Sequence, residues 1–278
     1  MSSAVSLYAA ILDGGHKNAP FVVNHLKRVG IRKWEDCTKV RLSRFPGQLL
    51  AAGVCQSSAC QYVAVLKAAL NRYAEDGVIP CANVRDALKC RNEKTQKVYL
   101  TEDELARLEE VEAGGPRERF VQLCFLISAK TGMRMSDTLR VSSRNIQGGY
   151  LRYVSKKTSI EACVPVSDKT AAWIREVNAI SVRPGTSTYE LLIKGLCRRA
   201  GITSDAKVFK AGKERANEKW NFVTSHTARV TFCTLLSQKG VPIQDIATMA
   251  GHSNTTMTEN YIVRTAPKVN AAAMAFLA

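Results

Sequence analysis

Four side chains that can handle a phosphate group lie in one short stretch near the end of the chain. His226 and His252, two of the four histidines in the sequence, both fall here. Arg229 follows His226 by three residues, so the two share one face of a helix, and Tyr261 follows His252. Two imidazoles, a guanidinium and a phenol are the set that a phosphate-handling site needs.

Three short helices are predicted to carry these four residues. Thr224 or Ser225 can cap the first helix, and Lys239-Gly240 before Pro242 ends it. The second is closed by Gly251, and Tyr261 stands near the end of the third. Two short helices around a glycine turn are also typical of a helix-turn-helix, whose second helix enters the major groove. On this stretch alone, a DNA-binding regulator and a DNA-processing enzyme are both open.

A second candidate group lies earlier in the chain. In the segment TGMRMSD, Arg134 follows an apolar helix predicted to end at Thr131-Gly132. Arg134 is either a surface residue or is held by Asp137, and a held guanidinium is pre-organised to bind phosphate. Strands at residues 151–154 and 162–166 then predict a hairpin, with Lys156 and Lys157 near its tip.

Composition indicates the class of partner. The chain has 278 residues and a net charge of +16, and both its N-terminal third and the remainder are basic. This balance favours nucleic acid and a clamp with two basic faces. The nine cysteines form no CxxC pair, so neither a metal site nor a disulfide framework is expected. Without a signal peptide or a membrane-length apolar run, a soluble cytoplasmic protein is expected.

The fold class expected is mainly α with a small β-hairpin or sheet, in two domains. Residues 1–92 are predicted to form a helical DNA-clamp domain, residues 93–98 a linker, and residues 99–278 the second domain. Residues 1–20 show no clear element, and Thr101 with Glu104 predicts a capping box. Residues 207–219 are predicted to be an exposed basic loop. DNA-contact candidates are Lys67, Arg72, Lys156 and Lys213.

Five elements in this order resemble the tyrosine recombinases of the phage integrase family. They are TGMRMSD, the hairpin lysine eight residues before Pro165, His226-Thr-Ala-Arg229, Ala-Gly-His252 and Tyr261. The segment around His226 is similar to integrases of Bacteroidetes phages and mobile elements. The resemblance covers about residues 20–265, and it makes the first domain similar to the family's core-binding domain.

The resemblance implies an enzyme that cuts and rejoins DNA through a 3′-phosphotyrosyl link, without metal or cofactor. The implied roles are phosphate binding by Arg134, Arg229 and His252, a general acid in Lys157, a base or phosphate contact in His226, and a nucleophile in Tyr261. The implied partner is double-stranded DNA with attachment-type sites, on which a tetramer assembles. The apolar tail from Val269 would then fold back in cis or dock on a neighbouring protomer.

Several alternatives stay open at this point. Spacing to Pro165 favours Lys157 over Lys156, but a hairpin register shifted by one residue exchanges their faces. Thr227 and Ala228 stand where many members of the family carry a bulkier apolar residue. The alternatives in function are an inactive, sequence-specific DNA-binding protein and an enzyme of the type IB topoisomerase kind.

Overall fold

The computed structural model of the protein describes residues 5–73, 84–91, 97–210 and 213–263. The chain divides into two compact units. One comprises residues 1–95 and 209–213, and the other residues 96–208 and 214–278. Residues 93–96 of the predicted linker and the apolar tail from Val269 lie outside the described residues.

The N-terminal part of the first unit is helical in its described residues, 5–73 and 84–91. Its elements are α1 (Leu7–Asp13), α2 (Ala19–Arg28), a 3₁₀ turn (Trp34–Asp36), α3 (Lys39–Ala51), α4 (Gln56–Tyr73) and α5 (Val84–Ala87). Helix α1 was not expected, because seven residues are too few to show a clear apolar period. Leu7, Ala10 and Ile11 nevertheless bury one face of it, at the spacing of an amphipathic helix, and Ser6 caps it.

The second unit packs its helices around α7, which is buried on nearly all sides. Its helices are α6 (Glu102–Glu110), α7 (Pro116–Thr131), α8 (Met135–Thr138), α9 (Asp168–Ala179), α10 (Thr186–Arg199), α11 (Ser225–Gln238), α12 (Ile243–Ala250) and α13 (Thr255–Glu259). The capping box expected at α6 is present, since Thr101 Oγ1 accepts from the Glu104 amide and the Glu104 carboxylate accepts from the Thr101 amide. Short 3₁₀ turns occupy Ser143–Asn145 and Lys219–Phe222.

The chain also forms two small antiparallel sheets. Strands β1 (Ile146–Gln147), β2 (Tyr150–Val154) and β3 (Glu161–Pro165) form one sheet in that order. In it, Tyr150 pairs with Pro165 and Val154 with Glu161, which leaves residues 155–160 as the connection. The mainly α fold with a small sheet is therefore confirmed.

The prediction of an exposed loop at residues 207–219 was wrong. Strands β4 (Asp205–Lys210) and β5 (Lys213–Glu218) form a two-stranded antiparallel sheet there. The segment is rich in charge and lacks the apolar alternation from which strands are recognised. Lys213 lies in β5, but its side chain is outside the described part of the chain. No helix in the described residues is long and apolar enough to cross a membrane.

Candidate active site

The end of α7 brings the first arginine into place. Gly132 ends the helix with φ of 70°, a backbone conformation that glycine adopts without strain. A Cβ at this position would lie 2.5 Å from the ring of Phe232 on α11, so the close contact between α7 and α11 needs a glycine. Arg134 follows two residues later as the N-cap of α8, and its side chain is half-buried.

Arg134 is held through an intermediate hydroxyl rather than directly by Asp137. Its Nη1 donates to Ser155 Oγ at 2.7 Å, and Ser155 Oγ donates to Asp137 Oδ2 at 3.2 Å. Asp137 is only 1% exposed, and its other oxygen accepts the amide of Lys156 at 2.9 Å. One buried carboxylate therefore fixes both the partner of Arg134 and the start of the hairpin turn.

The two hairpin lysines are both exposed. The backbone amide of Lys156 donates to Asp137. The pKa of His226 is lowered by burial and by the charge of Lys97 first, and Lys157 adds a smaller effect. Thr158 donates to the carbonyl oxygen of Gly251 at 3.3 Å, which links this turn to the end of α12.

Helix α11 places a charged group in the protein interior. Its N-terminus is fixed by Glu190, whose Oε1 accepts from the amide and hydroxyl of Ser225 at 3.0 and 2.7 Å. One turn further, Arg229 is 1% exposed and donates through Nη1 to the carbonyl oxygen of Gly132. Its Nε and Nη2 are buried without a hydrogen-bond partner in the described residues. Such groups are costly to bury unsatisfied.

The charge of Arg229 is accordingly disfavoured where it lies. Burial lowers the pKa of Arg229, and the neighbouring guanidinium of Arg134 lowers it further. An anion at the unpartnered Nε and Nη2 would offset both effects, because it would supply charge and hydrogen-bond acceptors together.

His252 comes directly after α12, where Gly251 has φ of 62°. The ring is 6% exposed, and its Nδ1 lies 2.8 Å from Thr258 Oγ1. Its Nε2 is buried without a partner within the described chain. Burial first, and then the charges of Arg229 and Arg134, lower the pKa of His252 to about 3. The ring is therefore neutral at pH 7.

His226 is exposed to solvent as a residue, while its ring lies against that of Tyr261. Partial burial, followed by the charges of Lys97 and Arg229, lowers the pKa of His226 to about 4. It is consequently a neutral imidazole at pH 7 and can accept a proton.

Tyr261 stands at the centre of these groups, two residues beyond the end of α13. Its ring centroid lies 5.0 Å from that of His226 and 4.9 Å from that of His252. The Arg229 guanidinium carbon is 5.3 Å from the same centroid. Both imidazoles and one predicted arginine thus surround the phenol, although 32 residues separate Arg229 from Tyr261 in the sequence.

One contact of this cluster was missed from the sequence. Lys97, placed in the predicted linker, has its Nζ 4.6 Å from the centroid of the Tyr261 ring. It also donates to the carbonyl oxygen of Asn260. No local signal identifies it, because 163 positions separate the two hydrogen-bonded residues.

Two of the DNA-contact candidates are residues of the first unit. Lys67 and Arg72 both lie on α4 of the first unit, where Lys67 is half-buried. Arg72 forms a long ion pair of 3.7 Å with Asp13. The described residues hold no group of three or more histidine, cysteine, aspartate or glutamate side chains that could bind a metal ion.

A curated relative matches the larger part of the chain. Tyrosine recombinase XerA of Pyrococcus furiosus is 27% identical over 182 residues, which cover 63% of this chain and 62% of the relative. The chain therefore spans less than two thirds of the length of this relative.

Solved structures share the fold at lower identity. The Tn1549 transposon integrase in complex with a circular intermediate DNA has a TM-score of 0.68 at 16% identity, covering 99% of both chains. The lambda integrase tetramer bound to a Holliday junction has a TM-score of 0.65 at 17% identity, covering 97% of this chain and 81% of that chain. The sequence model of the phage integrase family matches residues 98–266, more than half of the chain. This protein therefore belongs to the phage integrase family.

Proposed function

We propose that the protein is a site-specific DNA recombinase of the integrase type, which cleaves and rejoins strands through a 3′-phosphotyrosyl intermediate. One observation carries the proposal: the side chains of His226, His252 and Arg229 surround the ring of Tyr261. A phenol packed among three phosphate-binding side chains is the arrangement that covalent attack on a phosphodiester requires.

The phosphate is bound by groups that lack partners in the protein. Arg229 offers Nε and Nη2, and His252 offers Nε2. When Nδ1 of His252 accepts from Thr258, the neutral ring carries its proton on Nε2 and can donate it to a phosphate oxygen. Arg134 adds a second guanidinium. Charge that develops on the non-bridging oxygens is then met by donors that are already in place.

The transfer proceeds by displacement at phosphorus. The Tyr261 phenol oxygen forms a bond to phosphorus, and the bond from phosphorus to the 5′-oxygen breaks. The phenol proton passes to the neutral imidazole of His226, and Lys157 protonates the departing 5′-oxygen. Attack by a free 5′-hydroxyl reverses these steps, so the phosphodiester is restored without an external energy source.

The DNA partner and the assembly follow from charge and from the solved relatives. A net charge of +16 supports contacts to many phosphates. The first unit would act as the core-binding domain and complete a clamp, with Lys67 and Arg72 as phosphate contacts. Because a lambda integrase of the same fold is seen as a tetramer on a Holliday junction, a tetramer on paired attachment-type sites is proposed here too. The protein would act in the cytoplasm, where its DNA is accessible.

An exchange assay tests this function against strand relaxation alone. A binding site is first selected from a degenerate duplex library, and two copies are placed on a supercoiled plasmid. The recombinase should delete or invert the segment between the two copies, depending on their orientation, and should leave a one-site plasmid unrearranged. Relaxation of both plasmids without rearrangement would favour the topoisomerase alternative, and binding without breakage of either would favour the regulator.

A further inference from the structure

Helix α11 anchors two chain segments that are distant in sequence. Thr231 Oγ1 accepts the amide of Leu100 at 2.9 Å. Thr234 Oγ1 donates to the Tyr261 carbonyl oxygen at 3.3 Å and accepts the Val263 amide at 3.1 Å. The segment that begins the second unit and the segment that carries the tyrosine therefore lie side by side on one helix.

Lys97 joins these two segments directly. Its ammonium lies over the Tyr261 ring, 4.6 Å from the centroid, well within the range of a cation–π contact. The same ammonium donates to the carbonyl oxygen of Asn260, the residue before the tyrosine. A single side chain thus contacts both the ring of Tyr261 and the backbone that determines where the ring lies.

Lys97 is half-buried rather than fully exposed to solvent. Burial lowers its pKa, and no carboxylate in the described part of the chain offsets that effect. Its charge is also the largest single charge effect that lowers the pKa of His226. The ammonium is therefore partly desolvated, and its contacts are the Tyr261 ring and the Asn260 carbonyl oxygen.

We propose that Lys97 is a positioning residue for the nucleophile: it holds the Tyr261 ring and the Asn260 carbonyl in place during attack. The inference rests on the function proposed above and adds a residue to it. Its amine touches the reacting side chain on the ring face, whereas Lys157 is assigned to the leaving oxygen. The two lysines therefore act on opposite ends of the same displacement.

The roles of the two lysines separate on a sulfur-substituted strand. A 5′-thiolate leaves without a proton, so loss of a general acid is rescued on this substrate, whereas loss of a nucleophile-positioning group is not. Lys97→Met should slow single-turnover cleavage about tenfold on both the oxygen and the sulfur strand, with the DNA dissociation constant changed less than about threefold. Lys97→Arg, which keeps the charge, should recover most of the rate.

Lys169→Met provides a matched control. Lys169 also lies over an aromatic ring, 5.6 Å from the centroid of Trp173, but it is on α9 and outside the cluster. The Lys169→Met variant should cleave both strands at the rate of the parent protein. Rescue of Lys97→Met on the sulfur strand would instead make Lys97 a proton donor, and a parental rate on both strands would overturn the proposal.

A measurement on the DNA-free protein supplies an independent readout. Removing the ammonium should raise the pKa of His226 from about 4, as followed by NMR titration of the imidazole, while Lys169→Met should leave it unchanged. An unchanged His226 pKa in folded Lys97→Met, or in Lys97→Gln should the methionine variant fail to fold, would refute the contact. If the parent protein forms no covalent adduct, the proposed function fails, and this titration still decides whether Lys97 lies at Tyr261.

Discussion

Replacing Arg229 with methionine should abolish cleavage and yet stabilise the fold. Arg229 is 1% exposed, and its Nη1 donates to the carbonyl oxygen of Gly132. Replacing buried charged groups by apolar side chains of similar volume often increases the free energy of unfolding by about 1–4 kcal/mol. Loss of the partner of Gly132 costs about 1 kcal/mol, and loss of the cation over Tyr261 costs up to about 1 kcal/mol.

At the middle of each of these ranges, the net expectation is a gain of about 1 kcal/mol in the free energy of unfolding. For a unit of this size, that corresponds to a rise of roughly 2–4 °C in the melting temperature. Calorimetry at neutral pH measures it, with Arg175→Met as the control. Arg175 is an exposed residue of α9, and its replacement should change the stability by less than about 0.5 kcal/mol.

Added sulfate provides a second comparison of the melting temperatures of the parent protein and Arg229→Met. Sulfate binding at the unpartnered nitrogens should raise the melting temperature of the parent protein more than that of Arg229→Met. A variant that melts below the parent would show that the guanidinium holds the fold together. In that case the unpartnered nitrogens could not be interpreted as a site kept open for phosphate.

Three further outcomes are expected. Lys157→Ala should cleave ordinary DNA very slowly, and cleavage should be largely rescued on a strand with a 5′-sulfur leaving group. Lys156→Ala should lose little cleavage activity on either strand. Rescue of Lys156→Ala alone would exchange the roles of the two lysines. The folded pKa of His252 lies at about 3 and its unfolded value near 6.5, so the unfolded chain binds the proton more readily. Its contribution to stability is complete above about pH 6.5 and is lost as pH falls toward about 3, with a slope of up to about 1.4 kcal/mol per pH unit. Chemical denaturation should therefore show that the free energy of unfolding falls more steeply with decreasing pH in the parent protein than in His252→Asn. Gly132→Ala should lower the melting temperature more than Gly240→Ala. Both glycines have positive φ, but only a Cβ at Gly132 would meet a ring, that of Phe232 at 2.5 Å. Equal losses in melting temperature would show that the Phe232 ring moves aside at little cost.

The local parts of the site were predictable from the sequence because helix periodicity and glycine positions are short-range signals. The three-residue spacing of His226 and Arg229 places both on α11, and Gly251 ends α12 just before His252. Gly132 likewise ends α7 where expected. The phage integrase family, inferred from the order of such motifs, is confirmed by the match over residues 98–266.

Contacts between distant segments were not predictable in the same way. The hydroxyl that holds Arg134 belongs to Ser155, which lies 21 residues away, and the packing of the hairpin against α8 determines that contact. Lys97 reaches Tyr261 only because α11 anchors both segments through Thr231 and Thr234. Neither arrangement leaves a periodic pattern in the sequence, so both follow from tertiary packing alone.

Covalent capture of cleaved DNA on Tyr261 tests the central claim most directly. A nicked duplex that loses a short 5′-hydroxyl fragment after cleavage cannot be resealed, so the protein–DNA adduct should accumulate and survive denaturant. Peptide mapping should then place a 3′-phosphonucleotide on Tyr261, and Tyr261→Phe should bind the duplex with nearly parental affinity without forming the adduct. An adduct that persists in Tyr261→Phe, or one that maps to another residue, would contradict the account.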